Sequence, residues 1–187
     1  MTLALPALAF AALAALVPGA AAAQGIVAAK SEIRFVSRQM GVQVEGRFRR
    51  FRADVDWRPD DLAHTRADFA IDLGSIDLAS EEAEGEVRRP GWFDTARFPT
   101  ATFTSTAVRA AGPDRYEIAG RLALKGVTRD VVVPVAVRRD ASGAAVAEGQ
   151  FTVQRLDFRI GDGPWADPAV VANDVLVRVR MTLAARP

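Results

Sequence analysis

The 187-residue chain contains one histidine and no cysteine, so few of its side chains could do chemistry. His64 lies in the polar connection Pro59 to Thr65, with no second imidazole and no thiol to complete a metal site. A Ser-His-acid triad would need it beside Ser31, Ser37, Ser75, Ser80, Ser105 or Ser142, and no Gly-x-Ser-x-Gly elbow is present. Gly161-Asp162-Gly163-Pro164-Trp165-Ala166 fits a dinucleotide-loop pattern literally. Asp167-Pro168 follows at once and no βαβ unit surrounds it, so it reads as a tight loop whose Trp165 packs over an opening. The cluster Glu81 to Glu86 lacks the spaced pattern of a calcium loop and reads as a solvated helix face. No enzyme is expected from these residues, and no metal or cofactor.

The elements that carry them are strands. From Trp92 to Val137 the sequence is β-branched, aromatic and period-two, and Gly112-Pro113-Asp114 and Lys125-Gly126 supply turns, which makes an antiparallel meander. Strands are expected at 32–37, 42–57, 66–73, 101–109, 116–124, 130–138, 144–154 and 175–183. That is about eight, the class of closed barrel wide enough for one small ligand. Phe48 and Phe51 are three apart, so a β-bulge at Arg49-Arg50 is expected to keep Phe51, Ala53, Val55 and Trp57 inward. A short helical segment lies in 77–97, between the third and fourth strands, where Glu81 to Glu86 precede Arg88 and Arg89 as the helix dipole prefers.

Residues 1–23 are uncharged and apolar from Leu3 to Val17, with Pro18-Gly19 and an Ala-x-Ala site before Gln24. They read as a cleaved secretory signal peptide, which places residues 24–187 in the periplasm as one domain; an uncleaved membrane anchor is the alternative. An exported fold without cysteine is stabilised by its core alone. With 24 basic and 23 acidic residues the chain has no surplus for nucleic acid. The Arg47 to Arg52 run reads either as an outer strand face whose stems cover apolar surface or as a rim meeting an anionic membrane surface.

Phe35, Phe48, Phe51, Trp57, Phe69, Ile71, Phe103, Leu122, Leu124, Val133, Phe151 and Phe158 fall at inward phases. Spacing does not distinguish a filled core from a lined cavity.

The chain also resembles the YceI family of periplasmic, lipocalin-like polyisoprenoid-binding proteins. The resemblance rests on Ser31, Ile33, Phe35, Gly41, Val44, Gly46, Phe48 and Ser75-Ile76-Asp77. It continues through Phe93-Asp94, Phe98-Pro99, Ala101 to Thr106, Gly120 to Leu124, Gly126-Val127-Thr128, Arg155 to Phe158 and Asn173-Asp174-Val175. It implies a single antiparallel lipocalin-like barrel that binds, without catalysis, a polyisoprenoid or isoprenoid quinone in its lumen. Met40, Trp92, Phe93, Phe98 and Trp165 then join the candidate lining, and Arg88, Arg89 and Arg155 are candidates for a phosphate or quinone oxygen. Two family positions differ: Gln39-Met40-Gly41 replaces a histidine-bearing segment, and Ala83 to Val87 replaces an Arg-Asp-x-His-Leu run. The competing expectation is a packed barrel, monomer or homodimer, whose rim docks transiently on a membrane or a membrane protein such as a cytochrome.

Overall fold

A computed structural model of the chain describes residues 25–184. The signal peptide expected at 1–23 lies outside the described residues. Ten strands form one antiparallel sheet: β1 (Glu32–Gln39), β2 (Val42–Phe48), β3 (Phe51–Asp56), β4 (Arg66–Asp72), β5 (Ile76–Asp77), β6 (Thr100–Gly112), β7 (Arg115–Leu124), β8 (Val127–Arg139), β9 (Ala145–Gln154) and β10 (Asp174–Leu183). Their order is β3-β4-β6-β7-β8-β9-β10-β1-β2-β5. Eight were expected. The difference arises because the long second strand is two, and because the two-residue β5 is too short to show a period.

That division curls the sheet into a barrel. β2 pairs with β1 near one end of the order, and β3 pairs with β4 at the other, yet they are successive stretches of one chain. At the corner between them Arg49 N donates to Ser75 O (3.0 Å), Arg50 N to Ser75 Oγ (3.0 Å) and Asp72 N to Arg50 O (3.1 Å). The expected bulge at Arg49-Arg50 is therefore a strand break, and its purpose is served: Phe48 and Phe51 both pack against the core. A register shift does occur in β6, between Ser105 and Ala107. Thr106 and Ala107 are both exposed, and the extra residue turns Val108 inward. At the β7–β8 turn Lys125 (φ 49°) and Gly126 (φ 74°) both adopt the left-handed conformation that a two-residue hairpin requires.

The helical segment is α1 (Glu81–Val87), capped by Ser80, whose Oγ accepts from Ala83 N. Its Glu84 is buried and faces the sheet, accepting from Leu78 N (3.3 Å) and from Arg88 Nη2 (2.9 Å), with Arg49 Nη2 3.6 Å away. Asp77 of β5 accepts from Arg47 Nε (2.8 Å) and lies 3.0 Å from Arg49 Nη2. Arg50 pairs with Asp72 (2.7 Å). Arg47 and Arg49 thus tie β2, β5 and α1 together, and Arg50 ties the corner to β4.

The loop 155–173, which joins β9 to β10, is organised by one buried side chain. Arg155 is 2 % exposed. Its Nε donates to Ala172 O (3.0 Å), Nη1 to Ile160 O (2.7 Å) and Gly161 O (3.0 Å), and Nη2 to Trp165 O and Val171 O (each 2.7 Å). A guanidinium has five N–H donors, and all five are used. Burial pulls its pKa down from the usual value, with Asp162 opposing. A Cβ on Gly161 would overlap Nη1, so that glycine is required by the arginine rather than by a phosphate.

Arg155→Lys keeps the charge but offers three donors, leaving at least two buried carbonyls without partners. At about 3–5 kcal/mol for breaking a buried charged network and ~2–4 °C per kcal/mol in a chain of this size, its Tm falls by roughly 6–20 °C in a circular-dichroism melt. A second expectation concerns pH. The Arg49 and Arg47 guanidinium groups hold the Asp77 carboxyl far below the usual carboxylate range. A lowered folded pKa contributes stability above the unfolded value of about 3.9 and loses it as pH falls below that. Asp77→Asn is therefore less stable than the parent at pH 7, and the gap between their Tm values narrows as the pH is brought below about 4.

Candidate functional site

Inside the curled sheet is a cavity of ≈ 720 Å³. Its wall is made by the inward phase of each strand, so alternation along the sequence becomes an apolar surface in space. It is bounded at one end by Trp92, Trp165 and the helix α1, and at the other by Trp57. Trp92 and Trp165 have ring centroids 5.7 Å apart, and Trp57 meets Tyr116 edge-on at 4.6 Å.

Most of the expected lining residues are at the wall: Phe35, Phe48, Trp57, Phe69, Ile71, Trp92, Phe93, Phe103, Leu122, Leu124, Val133, Phe151 and Trp165. Four are elsewhere. Phe51 packs against the core, and Phe158, within the 155–173 loop, is buried in it. Phe98 lies against Gly126, with the Arg97 guanidinium 5.2 Å over its ring. Met40 is 72 % exposed at the tip of the β1–β2 hairpin. Further residues line the wall. Val135 and Val137 on β8, and Val175, Val177 and Val179 on β10, obey the same period of two and could have been found by it.

Two aromatic rings owe their places to glycine. Phe35 lies across Gly46, its pairing partner on β2, and Phe103 lies across Gly120 on β7; a Cβ at either glycine would overlap the ring. Thr102, Thr104 and Thr106 point outward from β6, in the phase opposite to Ala101, Phe103 and Ser105.

Of the head-group candidates, Arg155 contributes to the wall but has no donor left, which removes it as a ligand contact. Arg88 is not at the wall and holds Glu84. Arg89 is at the α1 end of the cavity, ion-paired with Glu86 (3.1 Å). Near it lie Ser80 and Glu82, with Ser37 and Gln39 on β1. Trp92 has its indole Nε1 buried without a hydrogen-bond partner among the described residues.

Of the side chains weighed for catalysis, Ser37 and Ser80 are at the cavity wall, whereas His64, Ser31, Ser75, Ser105 and Ser142 are not. His64 Nδ1 is 2.7 Å from Asp61 Oδ2 on the surface. Ser31 and Ser75 donate to backbone carbonyls, Ser105 accepts from Ala67 N, and Ser142 donates to Asp140. Among the described residues no group of three His, Asp or Glu side chains could hold a metal ion.

Comparison with known proteins agrees with this architecture. The chain superimposes on BcnA of Burkholderia cenocepacia with a TM-score of 0.81 at 34 % identity, covering 86 % of this chain and 99 % of that one. A polyisoprenoid-binding domain from Saccharophagus degradans shares the fold at 20 % identity, with a TM-score of 0.72 over 89 % of this chain and 100 % of its own. A UPF0312 protein of Vibrio vulnificus is 32 % identical over 138 residues, 71 % of this chain and 73 % of the relative. The model of the YceI-like domain matches residues 25–183, and the chain belongs to that family.

Proposed function

We propose that this protein binds and carries, without catalysis, a long isoprenoid chain with a neutral polar end, such as an isoprenoid quinone, and does so in the periplasm. The observation that carries the reading is the apolar cavity, whose volume falls within the range usual for ligand sites. Its relation in fold to a domain named for polyisoprenoid binding supports it, and the apolar leader supports export. Each isoprene unit buries about five carbons, at most ~4 kcal/mol at ~0.8 kcal/mol per CH₂. Association and ordering cost about 4–15 kcal/mol, so roughly four or more units give useful affinity.

The preference for a neutral end follows from the charges. The cationic side chains at the wall are Arg89, paired with Glu86, and Arg155, saturated by carbonyls; Glu82 adds a negative charge at the same end. A pyrophosphate would find no unengaged guanidinium fork there, whereas a neutral quinone or hydroxyl oxygen needs none.

Phe103→Arg tests the lumen. The charge reaches water in the emptied cavity, so the variant keeps a strand-rich circular-dichroism spectrum but takes up no isoprenoid quinone; Thr104→Arg, on the outer face, retains both. Quinone binding by Phe103→Arg at parental affinity removes the lumen as the site. The polar end is tested with ligands of equal chain length: an isoprenoid quinone binds more tightly than a polyisoprenyl pyrophosphate, and the reverse order overturns the neutral end.

A further inference from the structure

Met40 sits where neither its backbone nor its side chain is at ease. It occupies the first central position of the β1–β2 turn with φ 47°, beside Gly41 at φ 80°. That conformation favours Gly, Asn or Asp, and a methionine there gains nothing from the turn. The thioether chain is also 72 % exposed, and Val42 beside it is 67 % exposed. These are the two most exposed large apolar side chains among the described residues. They stand together.

The tip is continuous with the cavity. Val42 shares the inward phase of Val44, a wall residue, and is exposed because the hairpin projects past the rim. Gln39, its partner across the turn, is also at the wall. The tip is held firmly: Met40 N donates to Val170 O (2.8 Å), Ala172 N donates to Arg38 O (2.9 Å), and Gln39 bridges to Val171. Those anchors belong to the loop that Arg155 fixes. From Gln39 to Val44 there is no charge, and the facing segment 163–170 adds two prolines and Trp165 with a single charge, Asp167.

We propose that the Met40–Val42 tip is a membrane-docking element that inserts into the surface of a lipid bilayer and brings the cavity mouth against it. The inference rests on the carrier reading, because a long isoprenoid is insoluble in water and must be taken from a lipid phase. The absence of a basic cluster at the tip makes the contact apolar, so it forms on zwitterionic bilayers and resists salt. Arg47, Arg49 and Arg50, the sequence's most basic run, are engaged with Asp77 and Asp72 and do not supply it.

The chain has no cysteine, so Met40→Cys and Val132→Cys each accept one environment-sensitive fluorophore. Val132 is 54 % exposed on the outer face of β8 and serves as the control. With phosphatidylcholine vesicles and no cargo, the label at 40 shifts to the blue and is quenched by spin-labelled lipid, unchanged in 0.5 M salt, while the label at 132 does neither. In unlabelled protein, Met40→Asp/Val42→Asp lowers the rate of quinone transfer from vesicles at least about tenfold; Val132→Asp does not. Quinone uptake from detergent, at equilibrium, is the same in all three. Vesicle contact without any quinone uptake overturns the carrier reading and leaves the tip standing. A label at 40 indifferent to vesicles, or a double variant that transfers quinone at the parental rate, overturns the tip. So does a dimer that the double substitution dissolves, because the occupant is then a second copy.

Discussion

A ten-stranded sheet encloses a volume only if its two ends meet, and here they meet through one chain corner. β2 and β3 belong to opposite ends of the strand order and are joined by Arg49-Arg50, whose backbone groups pair with Asp72 and Ser75 instead of with another strand. Closure in this form leaves a gap beside β2 that the two-residue β5 fills. It also decides where the arginines go, since the side chains that flank the corner are drawn to Asp72, Asp77 and Glu84. The basic run, by sequence an outer strand face or a membrane rim, is in the fold paired with acidic side chains about the corner.

The mouth depends on a second constraint of a different kind. Arg155 is a buried cation whose partners are neutral: five carbonyls replace the water it has lost. Carbonyl dipoles can do this only if the backbone bends around them, so residues 160 to 172 wrap the guanidinium and have little freedom of their own. One side chain thus sets the position of Trp165 at the cavity, the glycine at 161, and the segment on which the β1–β2 hairpin rests. The same interaction that makes the loop rigid removes Arg155 from any ligand.

Sequence made the architecture legible wherever a rule is local. Alternation located the long strands, and Lys125-Gly126 and Gly112 to Asp114 located the reversals, because turn chemistry and side-chain phase are properties of adjacent residues. Of the twelve side chains that phase alone places inward, all but Phe51 and Phe158 are at the cavity wall. What escaped was set by distant partners. Arg155 carried the features of a head-group ligand, and nothing near it in sequence announces that carbonyls up to 17 residues away consume its donors. Met40 joins the expected lining through the family resemblance alone, and the hairpin that carries it outruns the barrel. Phe158 and Phe98 are aromatic and in family-like positions, yet a loop and a turn, not a strand phase, determine where they pack.

The rings of Phe35 and Phe103 rest on Gly46 and Gly120, where a single added methyl group would dislodge them. The girth of the bore is therefore written at positions that carry no side chain, beneath the residues that would touch a ligand. A methyl group at 46 would overlap the Phe35 ring and Leu78, so the wall must shift although no lining side chain has been replaced. Two proteins of this fold with the same lining residues can thus enclose cavities of different width, according to what stands behind the aromatics.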